Sequence, residues 1–177
     1  DDNIEYFKNH NIGILYSYDG PEEFTTHRVF PNGKLSNDLV LKNIHRVKDA
    51  GLKIQLRATI SSDCKCMWKI YDYFENIGIP FAAVLAYKSR NVNETCVYDK
   101  RLESFRKQYE DLMNYYIRRI NEGLPINCMS IGEQLSTIDG RMTRLKPCAS
   151  GKMMFAIVDS GDIFSCEHLA YDKKYSN

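Results

Sequence analysis

An alternation of strand and helix patterns over residues 11–88 limits the fold of this chain more than any other feature. In "NIGILYSYD" (11–19), Ile12, Ile14, Tyr16 and Tyr18 point one way, and Gly13, Leu15, Ser17 and Asp19 the other. "KIQLRATIS" (53–61) repeats the pattern, with Ile54, Leu56, Ala58 and Ile60 opposite Gln55, Arg57, Thr59 and Ser61. "IPFAAVLAYK" (79–88) reads as a third strand, its small residues pointing to burial. Between them lie two helical patterns. Val40, Ile44 and Val47 form a stripe over 36–50, with Gly51 placed to cap it. Met67, Ile70, Tyr71, Phe74 and Ile77 form another over 65–77, ended by Gly78.

Strands joined by crossovers of this length are parallel. Parallel sheets are covered on both faces or closed into a barrel. Here one face of the first two strands carries Ser17, Asp19, Gln55, Arg57, Thr59 and Ser61. Such a polar face fits the inside of a partial or complete barrel lined for a ligand. The alternative is a sheet with one solvated face. Ser17, Asp19, Arg57 and Thr59 fall toward the C-terminal strand ends, where barrel sites are built.

"DKRLESFRKQYEDLMNYYIRRINEG" (99–123) is one long helix, with Leu102, Phe105, Tyr109, Leu112, Tyr116 and Ile120 as its apolar stripe. Arg118 and Arg119 read as its solvated face. A capping-box pattern, Ser130 to Glu133, opens a short helix over 130–140. Met153, Phe155 and Ile157 alternate before "DSGD", a hairpin signal.

Composition narrows the function classes. The 24 basic and 23 acidic side chains leave a net charge of +1, without the basic excess of a nucleic-acid binder. No apolar run approaches the about 20 residues of a membrane span. The opening "DDNIEYFKNH" has no signal-peptide pattern. Six cysteines are too few for a disulfide scaffold of this length, which points to a reducing cytoplasm. Cys64, Cys66, Cys96 and Cys128 read as structural thiols, and His168 as a surface histidine. Cys148 and Cys166 stand in a C-x12-G-x4-C array around Gly161. By themselves they fit a disulfide hairpin, a zinc site, two inert thiols or part of an iron–sulfur site.

"SYDGP" (17–21) and "RVFPNGKLSNDLVLKNIHRVKDAGLKIQLRATIS" (28–61), together with the Cys148–Gly161–Cys166 spacing, resemble radical S-adenosylmethionine (AdoMet) enzymes with a C-terminal SPASM domain. That group includes anaerobic sulfatase-maturating enzymes and peptide maturases. The resemblance covers about residues 12–88 and 146–168. It implies an α/β fold: half of a (β/α) barrel over 1–95, a helical linker over 96–145, and a hairpin beginning a SPASM-like domain over 146–177. It implies oxidative modification of a protein or peptide residue through AdoMet and [4Fe–4S] clusters. Ser17 and Asp19 would face the cofactor's ribose. Arg57 would take its carboxylate, or else pair internally with Asp19, and Thr59 would share that face. Cys148 and Cys166 would ligate an auxiliary cluster.

The family's CxxxCxxC motif is absent, since Cys64 and Cys66 read C-x-C after the wrong strand. The sequence therefore resembles an internal fragment, inactive and cofactor-free by itself. Its first strand would leave an edge open to a second copy. The rival reading is a non-catalytic α/β binding module with a thiol or metal hairpin.

Overall fold

The computed structural model describes residues 2–24, 27–61, 64–86, 102–140, 148 and 150–170. These fall in two compact units, Asp1–Leu135 and Ser136–Asn177. Among the described residues no helix is long and apolar enough to cross a membrane.

The first unit is α/β. A short helix α1 (Asp2–Asn9) precedes strand β1 (Ile14–Ser17), helix α2 (Asn37–Asp49), strand β2 (Ile54–Ile60), helix α3 (Met67–Ile77) and strand β3 (Phe81–Leu85). The three strands pair in parallel in the order β1-β2-β3. Ile14 stands opposite Ile54 and Ser17 opposite Arg57, while Leu56 stands opposite Phe81 and Thr59 opposite Val84. Side chains on neighbouring parallel residues share a face, so this register sorts the sheet into two sides. Ile54, Leu56, Ala58, Ile60 and Phe81 are buried on one of them. Ile44 and Val47 of α2 and Met67, Ile70, Tyr71 and Phe74 of α3 complete that core. Each large apolar side chain so buried contributes about 1.5–3 kcal/mol. The third strand begins two residues later than its pattern predicts, because Ile79 and Pro80 still belong to the turn out of α3. The predicted extension to Tyr87 and Lys88 lies outside the described residues.

Helix α4 (Leu102–Asn121) packs on α3 and joins the first unit's core. Its inward face differs from the predicted stripe. Phe105, Leu112 and Tyr116 are buried as expected, but Tyr109 and Ile120 are exposed. Gln108, Tyr115 and Arg119 take the remaining inward positions. The reason is polar pairing. Gln108 accepts the Met67 N–H at 3.0 Å and donates to the Cys64 carbonyl at 3.2 Å, closing the turn between β2 and α3. Arg119, expected in solvent, donates to the Pro125 carbonyl at 2.7 Å and stands 3.7 Å from the buried Glu75 carboxylate. Glu75 also receives the Tyr116 hydroxyl at 2.9 Å and the N–H groups of Asn127 and Cys128 at 2.7 and 3.2 Å. That clamp lays 127–128 alongside the start of β3, where the Phe81 N–H meets the Asn127 carbonyl at 3.0 Å.

Helix α5 (Met129–Ile138) starts one residue early, placing Ser130 inside its first turn rather than at the cap. In the second unit, β4 (Ala156–Ile157) and β5 (Ile163–Phe164) form a two-stranded antiparallel hairpin, followed by a single helical turn, α6 (Glu167–Ala170). Gly161 adopts φ +87°, the left-handed conformation the predicted turn requires.

Candidate functional site

The other side of the sheet is open. Leu15, Ser17, Gln55 and Thr59 are exposed, and Arg57 is half-buried. The strand register places Ser17 beside Arg57, with Thr59 two residues on along β2. Three of the four residues singled out from the sequence therefore share one face at the C-terminal half of the strands. Among the described residues no hydrogen bond or ion pair engages the Arg57 guanidinium. A guanidinium in that state is matched to a planar anion such as a carboxylate, which it grips with two parallel N–H donors.

Asp19 behaves differently. Its carboxylate is 8% exposed and ion-paired with Arg28, whose Nε donates to Oδ2 and whose Nη2 donates to Oδ1 at 3.2 Å. Oδ1 also accepts the Thr59 backbone N–H at 2.7 Å. The internal partner of Asp19 is thus Arg28 and not Arg57. The sequence signal was in view, since Arg28 opens the quoted "RVFPNGKLSN", but nothing in its spacing reveals that the loop folds back. Next to Asp19, the Gly20 carbonyl accepts from the buried Asn37 side chain at 2.6 Å. Gly20 has φ +99°, and a Cβ there would stand 3.0 Å from the Phe24 ring. Tyr18, fully buried, shares a 2.8 Å hydrogen bond between its hydroxyl and that of Tyr73. Burial first, then Tyr73, pushes the Tyr18 hydroxyl far above its ordinary pKa.

The thiols of the second unit are both free, Cys148 exposed and Cys166 half-buried. Ser150 donates from its hydroxyl to the Ser165 carbonyl at 2.7 Å, so the segments that carry the two cysteines meet one or two residues away from them. The Cys148 sulfur accepts the Ser150 N–H at 3.4 Å, and the Cys166 thiol points to Glu167 Oε2 at 3.6 Å. Among the described residues no three metal-ligating side chains converge. Thiolates suit an iron–sulfur cluster, but these residues do not by themselves complete a ligand set. Cys96 lies outside the described residues. The Cys64 thiol points to Gln108 Oε1 at 3.7 Å, Cys66 is half-buried and Cys128 is buried.

No protein-family model matches the chain. It is 24% identical over 171 residues to the radical SAM cyclopropyl synthase TigE of Paramaledivibacter caminithermalis, covering 92% of this chain and 34% of that protein. Its fold matches native anSMEcpe, an anaerobic sulfatase-maturating enzyme, with bound AdoMet. The TM-score is 0.73 at 14% identity, over 98% of this chain and 49% of that one. The same enzyme with bound AdoMet and the Kp18Cys peptide gives a TM-score of 0.70 at 14% identity, over 95% of this chain and 48% of that one. The chain thus spans about a third of the curated relative and about half of the solved structures. It is similar in sequence to a radical SAM enzyme and shares the fold of part of an anaerobic sulfatase-maturating enzyme, as the resemblance drawn from its own residues implies.

Proposed function

We propose that the chain forms part of a radical SAM enzyme that oxidatively modifies a residue of a protein or peptide, by sulfatase maturation or peptide crosslinking. The open sheet face would be one wall of a partial (β/α) barrel holding AdoMet. The observation that carries this reading is Arg57, a half-buried guanidinium that no described residue engages, set between Ser17 and Thr59 on that face.

Bound AdoMet and a [4Fe–4S] cluster would supply radical chemistry for hydrogen abstraction from the substrate. This chain's part is binding and orientation. Arg57 would grip the amino-acid carboxylate of AdoMet, and the Ser17 and Thr59 hydroxyls would take its remaining polar groups. Asp19 holds the edge of the site through Arg28 and the Thr59 N–H. The hairpin of the second unit would begin a SPASM-like domain, in which Cys148 and Cys166 would be two of an auxiliary cluster's ligands. None of the six cysteines forms a CxxxCxxC motif, so the chain alone does not cleave AdoMet. Its free thiols suit the cytoplasm, and the outer edge of β1 suits a second copy.

The test compares AdoMet with 5′-methylthioadenosine, which lacks the amino-acid carboxylate. In amide NMR spectra of the labelled chain, AdoMet at millimolar concentration is expected to shift Ser17, Arg57 and Thr59. The carboxylate-free analogue should leave Arg57 unmoved, and Arg57→Ala should remove the difference. Equal responses to both compounds, or a response elsewhere in the chain, would refute the assignment. Anaerobic treatment with iron and sulfide tests the second unit. A stable stoichiometric cluster on this chain alone would contradict its being catalytically silent.

A further inference from the structure

In a parallel ladder, successive rungs alternate between donating to and accepting from the neighbouring strand. The Tyr18 N–H donates to the Arg57 carbonyl at 3.0 Å. The next rung would run from the Thr59 N–H to a β1 carbonyl. It runs to Asp19 Oδ1 instead. A side chain replaces the main chain where β1 leaves the sheet, so the Thr59 N–H keeps a partner.

The same carboxylate binds the base of a small hairpin. Val29 bridges Leu35, the Phe30 N–H donates to the Lys34 carbonyl at 2.7 Å, and the Gly33 N–H donates to the Phe30 carbonyl at 2.8 Å. Arg28 stands at one foot, with its guanidinium on Asp19. Ser36 stands at the other, and its N–H and hydroxyl both donate to the Arg28 carbonyl, at 3.0 and 3.1 Å. Helix α2 begins at the next residue, and its Asn37 side chain holds the Gly20 carbonyl. One buried carboxylate therefore ties the end of β2 to one foot of the hairpin, while Ser36 and Asn37 hold the other foot and the entry to α2 through backbone carbonyls. Asparagine at position 19 would keep an acceptor for Thr59 but lose the ion pair with Arg28.

We infer that Asp19 is a positioning residue: its carboxylate latches the Arg28–Ser36 hairpin onto the C-terminal end of β2 and so fixes the border of the face that carries Ser17, Arg57 and Thr59. It acts on the ligand through Arg28 and the β2 backbone, without touching it. The ligand half of this inference rests on the reading of that face as the AdoMet site.

The experiment measures amide hydrogen exchange and AdoMet-induced shifts on the same labelled chain, for the parent, Asp19→Asn and Arg28→Gln. In both variants, exchange at Phe30, Gly33, Ser36 and Thr59 should accelerate about tenfold or more, while Leu56 and Phe81 keep their protection. The AdoMet shifts at Ser17 and Arg57 should need about tenfold more ligand, although both residues are intact. Arg28→Lys, which keeps the charge but not the fork, should restore part of both. Unchanged exchange at the hairpin in Arg28→Gln would overturn the latch. Loss of the AdoMet response in Asp19→Asn with hairpin exchange unchanged would overturn positioning in favour of direct contact. If Asp19→Asn loses protection at Leu56 and Phe81, Arg28→Gln, whose site is a third exposed, decides alone. A parent chain that ignores AdoMet would count against the cofactor reading, while the exchange comparison would still decide the latch.

Discussion

Replacing Glu75 by Gln tests whether polar pairing, and not apolar burial alone, holds α4 and residues 127–128 to α3 and β3. The Glu75 carboxylate is fully buried and serves four groups: the Tyr116 hydroxyl, the Asn127 and Cys128 N–H groups, and Arg119. Gln offers one acceptor where Glu offers two, so at least one buried donor is left facing an NH2. A buried donor left unsatisfied costs about 1–3 kcal/mol. Arg119 also loses its counter-charge. Breaking a buried ion pair costs about 3–5 kcal/mol, but Arg119 keeps the Pro125 carbonyl at 2.7 Å, which favours the lower end. The expected loss is about 3 kcal/mol, against a total of about 5–15 kcal/mol for a domain. Urea unfolding followed by the fluorescence of Trp68, the sole tryptophan, reads this directly from α3. With a slope of about 1–3 kcal/mol per molar, the midpoint should fall by about 1–3 M. Tyr116→Phe removes a donor together with its need, and should cost only about 1 kcal/mol. A midpoint shift below about 0.3 M for Glu75→Gln, or equal costs for the two variants, would refute this account.

Other outcomes follow from the same structure. Tyr18, Tyr71, Tyr115 and Tyr116 all have raised pKa values, with burial as the first cause, and Tyr115 is pushed from 10.0 up to about 12. The folded state holds these protons longer than the unfolded state, so stability is full below about pH 10 and falls as pH rises toward 12. Urea midpoints measured across that range should show it, and Tyr115→Phe should flatten the decline. Gly20→Ala forces a side chain into φ +99° against Phe24 and should cost about 1–2 kcal/mol in the same assay. Cys148→Ser, at an exposed site, should leave stability within about 0.5 kcal/mol; a larger loss would mean the thiol has a structural role.

Much of the first unit was legible in the sequence because its elements obey simple periods. The alternation in 53–61 marks both faces of β2, and all four predicted core positions are buried. The stripe from Met67 to Phe74 and the cap at Gly78 define α3 for the same reason: a helix repeats every 3.6 residues whatever surrounds it. Those periods also bring Ser17, Arg57 and Thr59 to one face, because the strand pattern determines which side chains point together. Where periodicity misled, a distant partner was responsible. Arg119 looks like a solvated residue of α4, yet Glu75 on α3 draws it inward. Tyr109 fits the stripe, yet Gln108 is the residue turned inward, because the turn before α3 needs its amide.

Its place at a strand end and the resemblance to AdoMet-binding strands marked Asp19 as a site residue, and only the tertiary structure decided what it holds. Its Thr59 and Arg28 contacts join residues 40 and 9 positions away. No local pattern encodes such pairings. A buried carboxylate must find donors wherever the fold brings them. The sequence by itself determined the strands, the helices and the polar face. The packing of those elements decided that no described residue pairs with the Arg57 guanidinium while Asp19 is committed to Arg28.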